Sequence, residues 1–287
     1  MISPQKIYCA DGYPIALSLY QADRAEGTVI IGGAVGIPKK FYSDFAKFLN
    51  EKNYHCITFS YRGTEDSLAM TNPFDVKLED WGVQDIEAVI QFAKNVDTKD
   101  SESLPIHFIG HSVGGQLIGL APSSSVLNSM VFVASSCPYW KRWSFPENIK
   151  MLLAPRVIFP IVSLGRDEFP TQILGLGNIK IPTKVAKQWA TWMLKPGYLF
   201  DKTFRLPINH YSALIQPLLS LGFKDDKLAP EINIKKLLSE FYSATITEKI
   251  IDPNDLNISN IGHSGFFKVK FRSSLWEDTI TWIKQNN

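Results

Sequence analysis

The sequence predicts an α/β fold, a mostly parallel twisted sheet with helices on both faces, interrupted by one large insertion. Three observations carry this. Short apolar runs alternate with segments of helical period along most of the 287 residues. A glycine-flanked serine at position 112 sits between one such run and one such segment, and the alternation stops at Cys137 to resume near Leu214.

Along the chain, residues 15–20 alternate apolar and polar side chains after the turn signal Asp11-Gly12, which predicts a hairpin with residues 6–10. Residues 28–31, 56–59, 106–109 and 130–134 are short runs rich in β-branched and aromatic side chains. Such continuous apolar runs belong to strands covered on both faces. Between them, Phe41, Phe45, Phe48 and Leu49 keep helical spacing, as do Trp81, Asp85, Ile86, Val89, Ile90 and Phe92, and then residues 117–120. After the insertion, residues 217–221 and 244–251 read as two further strands around a helix at 232–241, and a helix over 272–283 closes the chain. The expected organisation is a core of residues 1–136 and 212–287, with residues 137–211 inserted.

Composition narrows the function. Thirty Lys and Arg against 28 Asp and Glu give a net charge of +2, so no global field favours nucleic acid or an anionic membrane. Cys9, Cys56 and Cys137 are scattered and odd in number, which fits neither a disulfide framework nor a structural zinc site. No His/Cys/carboxylate cluster has ligand spacing, so no metal and no cofactor is expected. The N-terminus lacks a signal-peptide pattern, and the longest apolar stretch, residues 151–164, contains Arg156 and two prolines and is too short to span a bilayer. These features predict a cytoplasmic protein without a transmembrane segment.

The chemistry concentrates at Gly110-His111-Ser112-Val113-Gly114. An apolar strand before and a helix after are the setting of a nucleophile elbow, in which a strained turn raises the serine hydroxyl above the sheet edge. The flanking glycines let strand and helix approach closely enough to make that turn. A serine needs a base. His55 and His107 fall at or inside strands, His111 adjoins the serine and is expected to point away, and His210 ends the insertion. His263 lies in a glycine-flanked loop after the last predicted strand, where it can swing to the elbow. The orienting acid belongs between serine and histidine in chain order. Asp226, with Asp225 second, follows the strand at 217–221. The oxyanion donors are expected at the Val113 amide and at the Val35 amide, with Ala34 second, in the glycine-rich loop after residues 28–31. That loop has neither GxGxxG spacing nor a Gly-Lys-Ser/Thr, which argues against nucleotide binding.

With these residues in view, the chain resembles the α/β-hydrolase superfamily, and within it the serine-aminopeptidase-like group. The resemblance rests on Gly33-Ala34-Val35-Gly36-Ile37-Pro38 with Phe41-Tyr42, on Phe59-Ser60-Tyr61-Arg62-Gly63, on Gly110-His111-Ser112-Val113-Gly114-Gly115-Gln116, on Asp225-Asp226, and on Gly262-His263-Ser264-Gly265-Phe266-Phe267. It implies an α/β-hydrolase fold with an inserted helical lid, Ser112 as nucleophile, His263 as base and an aspartate of the pair as third member. One departure stands out: such proteins carry Asp-Tyr-Arg-Gly-x-Gly-x-Ser, where this chain has Ser60-Tyr-Arg-Gly-Thr64-Glu65-Asp66-Ser67.

The insertion holds four of the seven tryptophans, eleven basic residues and four acidic ones, giving +7 against −5 for the remainder. Trp140, Trp143, Trp189 and Trp192 either pack the lid on the core or line an acyl pocket whose basic rim, including Lys141 and Arg142, attracts an anionic substrate. The expected function is a serine esterase acting on a small-molecule ester, with a peptidase, an acyltransferase or a non-catalytic binding protein as alternatives and no nucleic-acid partner.

Overall fold

A computed structural model describes residues 2–96 and 104–287. Eight strands form one sheet in the order β1-β2-β4-β3-β5-β6-β9-β10: β1 (Ile2–Tyr8), β2 (Pro14–Tyr20), β3 (Gly27–Gly32), β4 (Tyr54–Phe59), β5 (Ile106–His111), β6 (Ser129–Val133), β9 (Leu218–Phe223) and β10 (Ile246–Ile251). The intervening β7 (Glu168–Pro170) and β8 (Lys180–Pro182) pair only with each other. β1 and β2 form the predicted hairpin, antiparallel to each other, and β2 runs antiparallel to β4; every other pairing in the eight-stranded sheet is parallel, whereas β7 and β8 are antiparallel. The Asp11 carboxylate accepts the Tyr13 amide at 3.1 Å, and Gly12 takes φ 81°, so the turn is made as its sequence suggests.

Burial follows the apolar runs. Every residue of β3, β4, β5, β6 and β9 is buried, whereas β10 and β1, at the two edges, are half-exposed or exposed. Helix Ser43–Glu51 lays Phe45, Ala46, Phe48 and Leu49 on the sheet, and Trp276 of the C-terminal segment packs tilted against Phe45 and Phe48. The chain passes from β3 to β4 on one side and returns to β5 on the other. The strand order therefore reverses at β3, and the crevice beyond the C-terminal ends of β3 and β5 is where such sheets bind ligands.

The structure departs from expectation in three places. Residues after Ser112 form a short α-helix, Val113–Leu117, that tightens into a 3-10 turn at Ile118–Leu120, where a Cβ on Gly119 would collide with the Tyr211 ring. The closing helix starts as a π-helical segment, Arg272–Trp276, and continues as α-helix Glu277–Lys284. Between β6 and β9 the chain is mostly helical, but it also contains the β7–β8 ribbon. Each of those strands is only three residues long and ends in proline, which has no N–H to extend a ladder.

The Ser60–Ser67 loop closes with its own chemistry. Ser60 Oγ lies 2.9 Å from both Glu65 Oε2 and Asp66 Oδ1, Lys39 Nζ pairs with Asp66, and Ser67 Oγ donates to the Ser60 carbonyl. Carboxylates at 65 and 66 thus stand in the loop whose usual aspartate is replaced by Ser60. Beneath it, Arg62 binds the buried Asp85 through both side chain and amide, and Trp81 Nε1 donates to the Arg62 carbonyl.

Candidate active site

Strand β5 delivers its last residue, His111, to the crevice, and Ser112 follows with φ 52° and ψ −113°. A serine in this region of backbone space is strained by about 1–3 kcal/mol. The turn is held in place by the Ser112 amide, which donates to the Val133 carbonyl at 2.9 Å. A Cβ at Gly110 would run into the Gly115 backbone, and one at Gly114 into the Gly32 carbonyl on the neighbouring β3 loop. Neither neighbour is a movable side-chain end. Gly114→Ala is therefore expected to destabilise the protein by more than about 4 kcal/mol, read as loss of a cooperative thermal transition or of soluble protein.

The loop after β10 brings His263 over this turn. Its Nε2 lies 2.9 Å from Ser112 Oγ, and its Nδ1 lies 2.7 Å from Asp226 Oδ2. A carboxylate only accepts, so Nδ1 carries the proton and Nε2 is left to accept from the serine hydroxyl. Asp226 is buried, and its other oxygen accepts the amides of Leu228 and Ala229, which fixes the carboxylate. Asp225 has a different task. Its Oδ2 accepts the Ile261 and Gly262 amides at 2.8 and 2.9 Å and ties down the loop that carries His263. The two adjacent aspartates diverge, one to the imidazole and one to its backbone.

The amide choice in the glycine-rich loop also becomes physical. The Ala34 amide is occupied, donating to the Tyr42 hydroxyl at 2.8 Å. No acceptor among the described residues takes the Val35 or Val113 amide. Val35 lines the open space above Ser112, and Val113 directly follows the serine as the first residue of the helix.

His111 does point away from the serine hydroxyl, but it is not idle. Its Nε2 lies 2.9 Å from the His263 carbonyl and its Nδ1 2.9 Å from Tyr42 Oη. Burial, reinforced by the nearby His263, lowers its pKa to about 3, so the ring is neutral. A carbonyl only accepts, so Nε2 carries the proton and Nδ1 accepts from Tyr42, whose oxygen in turn accepts from Ala34. A single directed chain, Ala34 to Tyr42 to His111 to His263, joins the glycine-rich loop to the histidine loop. Sequence reasoning missed Tyr42 and His111, because nothing in the spacing of residues 34, 42, 111 and 263 announces the contact.

His111 is thus a positioning residue, and His111→Leu would leave the Tyr42 hydroxyl proton without an acceptor and the His263 carbonyl without its donor, while the Ala34 amide still donates to the Tyr42 oxygen. We expect kcat to fall about 10²-fold, the cost of a small displacement of a catalytic group, with KM within about twofold. His111→Gln, whose side-chain amide can still donate to that carbonyl, should recover part of the loss; equal kcat in both variants would contradict the role.

A family model described as the alpha/beta hydrolase family matches residues 32–265, a span that runs from the end of β3 past His263. The chain belongs to the α/β hydrolase family. Solved structures share its fold at low identity. A monoglyceride lipase of Saccharomyces cerevisiae, a soluble variant bound to a substrate analogue, superposes with a TM-score of 0.72 at 14% identity over 100% of this chain and 95% of that one. A thermostable carboxyl esterase from Bacillus coagulans gives 0.66 at 11% identity, covering 99% and 98%. An esterase from Exiguobacterium antarcticum gives 0.63 at 16%, covering 98% and 100%. No curated protein matches the chain by sequence at a significant level.

In this hydrolase, Ser112 and His263 open into a cavity of about 460 Å³ roofed by the segment between β6 and β9. Met151, Ile158, Phe159, Trp143 and Trp189 line it, together with Ala34 and Val35 from below. Trp140 and Trp192 do not line it. Trp192 is fully buried against Tyr198 and Phe204, and Trp140 lies at the surface edge beside Tyr139 with Lys141 over its ring. The basic rim is likewise smaller than expected: Arg142 is anchored to the Cys137 and Pro196 carbonyls, and Lys150 is the one Lys or Arg among the described lining residues. Among the described residues no group of three or more His, Cys, Asp or Glu could hold a metal ion, and no helix is long and apolar enough to cross a membrane.

Proposed function

We propose that this hydrolase cleaves carboxylic esters through an acyl-enzyme on Ser112. His263 takes the hydroxyl proton as Oγ attacks the carbonyl, Asp226 keeps the imidazole in the required tautomer, and the Val113 and Val35 amides receive the oxyanion. The proton then passes to the leaving alcohol, and water repeats the sequence to free the acid. Residues 137–211 act as a lid over a core of residues 1–136 and 212–287. Three buried thiols, Cys9, Cys56 and Cys137, fit a reducing, cytoplasmic compartment.

The observation that carries the reading is the unbroken run from Asp226 through His263 to Ser112, opening into a largely apolar cavity lined by Val35, whose amide has no acceptor among the described residues. An apolar acyl group fills such a space at little cost, whereas a free amino terminus would need a carboxylate. None lines the cavity among the described residues. The neighbours whose titles name an esterase or a lipase support the same direction. p-Nitrophenyl esters of increasing chain length, assayed beside aminoacyl p-nitroanilides, test it. Turnover of esters that rises with chain length and is lost in Ser112→Ala is the expected result; preferential cleavage of the anilides would make the protein a peptidase, and no turnover of either would favour a binding role.

A further inference from the structure

The apolar stretch at residues 151–164 does more than line the cavity. It belongs to one continuous helical run, Glu147–Leu153 as α-helix, Ala154–Ile158 as π-helix and Phe159–Val162 as α-helix. Met151, Ala154, Ile158 and Phe159 face the cavity above Ser112. On the other side, Phe145, Ile149, Leu153, Val157, Ile161 and Leu164 are exposed, from 43% for Val157 to 77% for Phe145. Ile149, Leu153, Val157 and Ile161 recur along the run at steps of four, and Phe145 and Leu164 stand in the turns that flank its two ends, so the six follow one another as an exposed apolar stripe. A helix that meets water normally keeps one face polar, and this one is apolar on both. The other strongly exposed large apolar side chains, such as Met70, Ile215 and Tyr242, are separated from one another along the chain. An ordered apolar stripe of this kind marks a surface made to be covered.

Charge says by what. From Lys141 to Arg166 there are five basic residues and one acidic one, Glu147. Lys141, Lys150, Arg156 and Arg166 are exposed beside the stripe. Asp167 and Glu168 follow at its far end, where Glu168 is paired with Lys180. A second copy of the chain docked on this face would bring these cations against their equivalents. Anionic lipid headgroups would neutralise them while the stripe enters the acyl boundary. The overall charge of +2 hides this local excess.

We propose that the stripe from Phe145 to Leu164 docks this hydrolase on an anionic lipid surface, and that its substrate is an ester drawn from that surface into the cavity on the other side of the same helical run. The second half rests on the esterase reading; the docking does not. Lys150, exposed, next to Ile149 in the chain and itself a lining residue, puts an edge of the cavity beside the stripe.

Co-sedimentation of the full chain with phosphatidylcholine vesicles, with and without phosphatidylglycerol, tests the docking. Wild type should bind the phosphatidylglycerol vesicles and release them at high salt. The pair Ile161→Glu and Leu164→Glu should lower partitioning about tenfold or more, and Arg156→Glu should lower it on the anionic vesicles only. Neither variant touches the cavity, so hydrolysis of a short, soluble p-nitrophenyl ester should be unchanged, which also shows that they fold. Absence of vesicle binding by wild type, equal binding by the double variant, or a wild-type dimer that the double variant dissociates would overturn the proposal. Vesicle binding with no ester hydrolysis would leave the docking intact and remove the esterase reading instead.

Discussion

Ser112→Ala and Ser112→Gly are both expected to lower kcat/KM for an activated ester by about 10⁶-fold, yet to differ in stability. The serine occupies φ 52° and ψ −113°, a region that alanine shares no more comfortably and glycine enters freely. The glycine variant should therefore be more stable than wild type by about 1–2 kcal/mol, while the alanine variant stays close to wild type. Thermal unfolding measured on purified variants checks this. The reason is mechanical: the strained turn exists to lift the hydroxyl over the ends of β3 and β5, and the closely packed glycines at 32, 110 and 114 hold it there. Equal stability for the two variants would mean that the turn carries no strain and that the elbow is an ordinary loop.

Asp226→Asn is the second large effect, an expected loss of about 10⁴-fold in kcat/KM with the fold retained. An asparagine can offer its amide nitrogen to Nδ1, which places the imidazole proton on Nε2, where it faces Ser112 Oγ and blocks proton abstraction. Asp225→Asn makes the useful comparison. Its carboxylate receives the Ile261 and Gly262 amides and touches neither ring nitrogen, so the asparagine oxygen can still accept from that backbone. We expect a loss of about tenfold or less there. If the two variants fall equally, the division of work between the neighbouring aspartates is wrong.

Much of this was readable before any coordinates. Strands β3, β5 and β6 announce themselves because parallel strands covered on both faces must be apolar throughout, and the elbow because its glycines sit between such a strand and a helix. The hairpin turn was legible from Asp11-Gly12. What escaped are contacts that depend on how a side chain faces after folding. Trp189 and Trp192 sit three residues apart on one helix, Thr183–Met193, yet one meets the cavity and the other the interior, and their spacing cannot say which. The β7–β8 ribbon is too short to show a period of two, and its prolines speak against strands. The Tyr42–His111–His263 connection spans more than 200 residues of sequence, and a histidine beside the serine looks redundant until its ring is seen to hold the loop opposite.

The direct test of the central claim is reaction with a fluorophosphonate, which modifies a serine only where a base and an oxyanion site activate it. The native protein should be labelled once, at Ser112 by peptide mapping, with labelling lost in His263→Ala and slowed by about the same factor as hydrolysis in Asp226→Asn. A folded protein that remains unlabelled, or one labelled at another serine, would contradict the account.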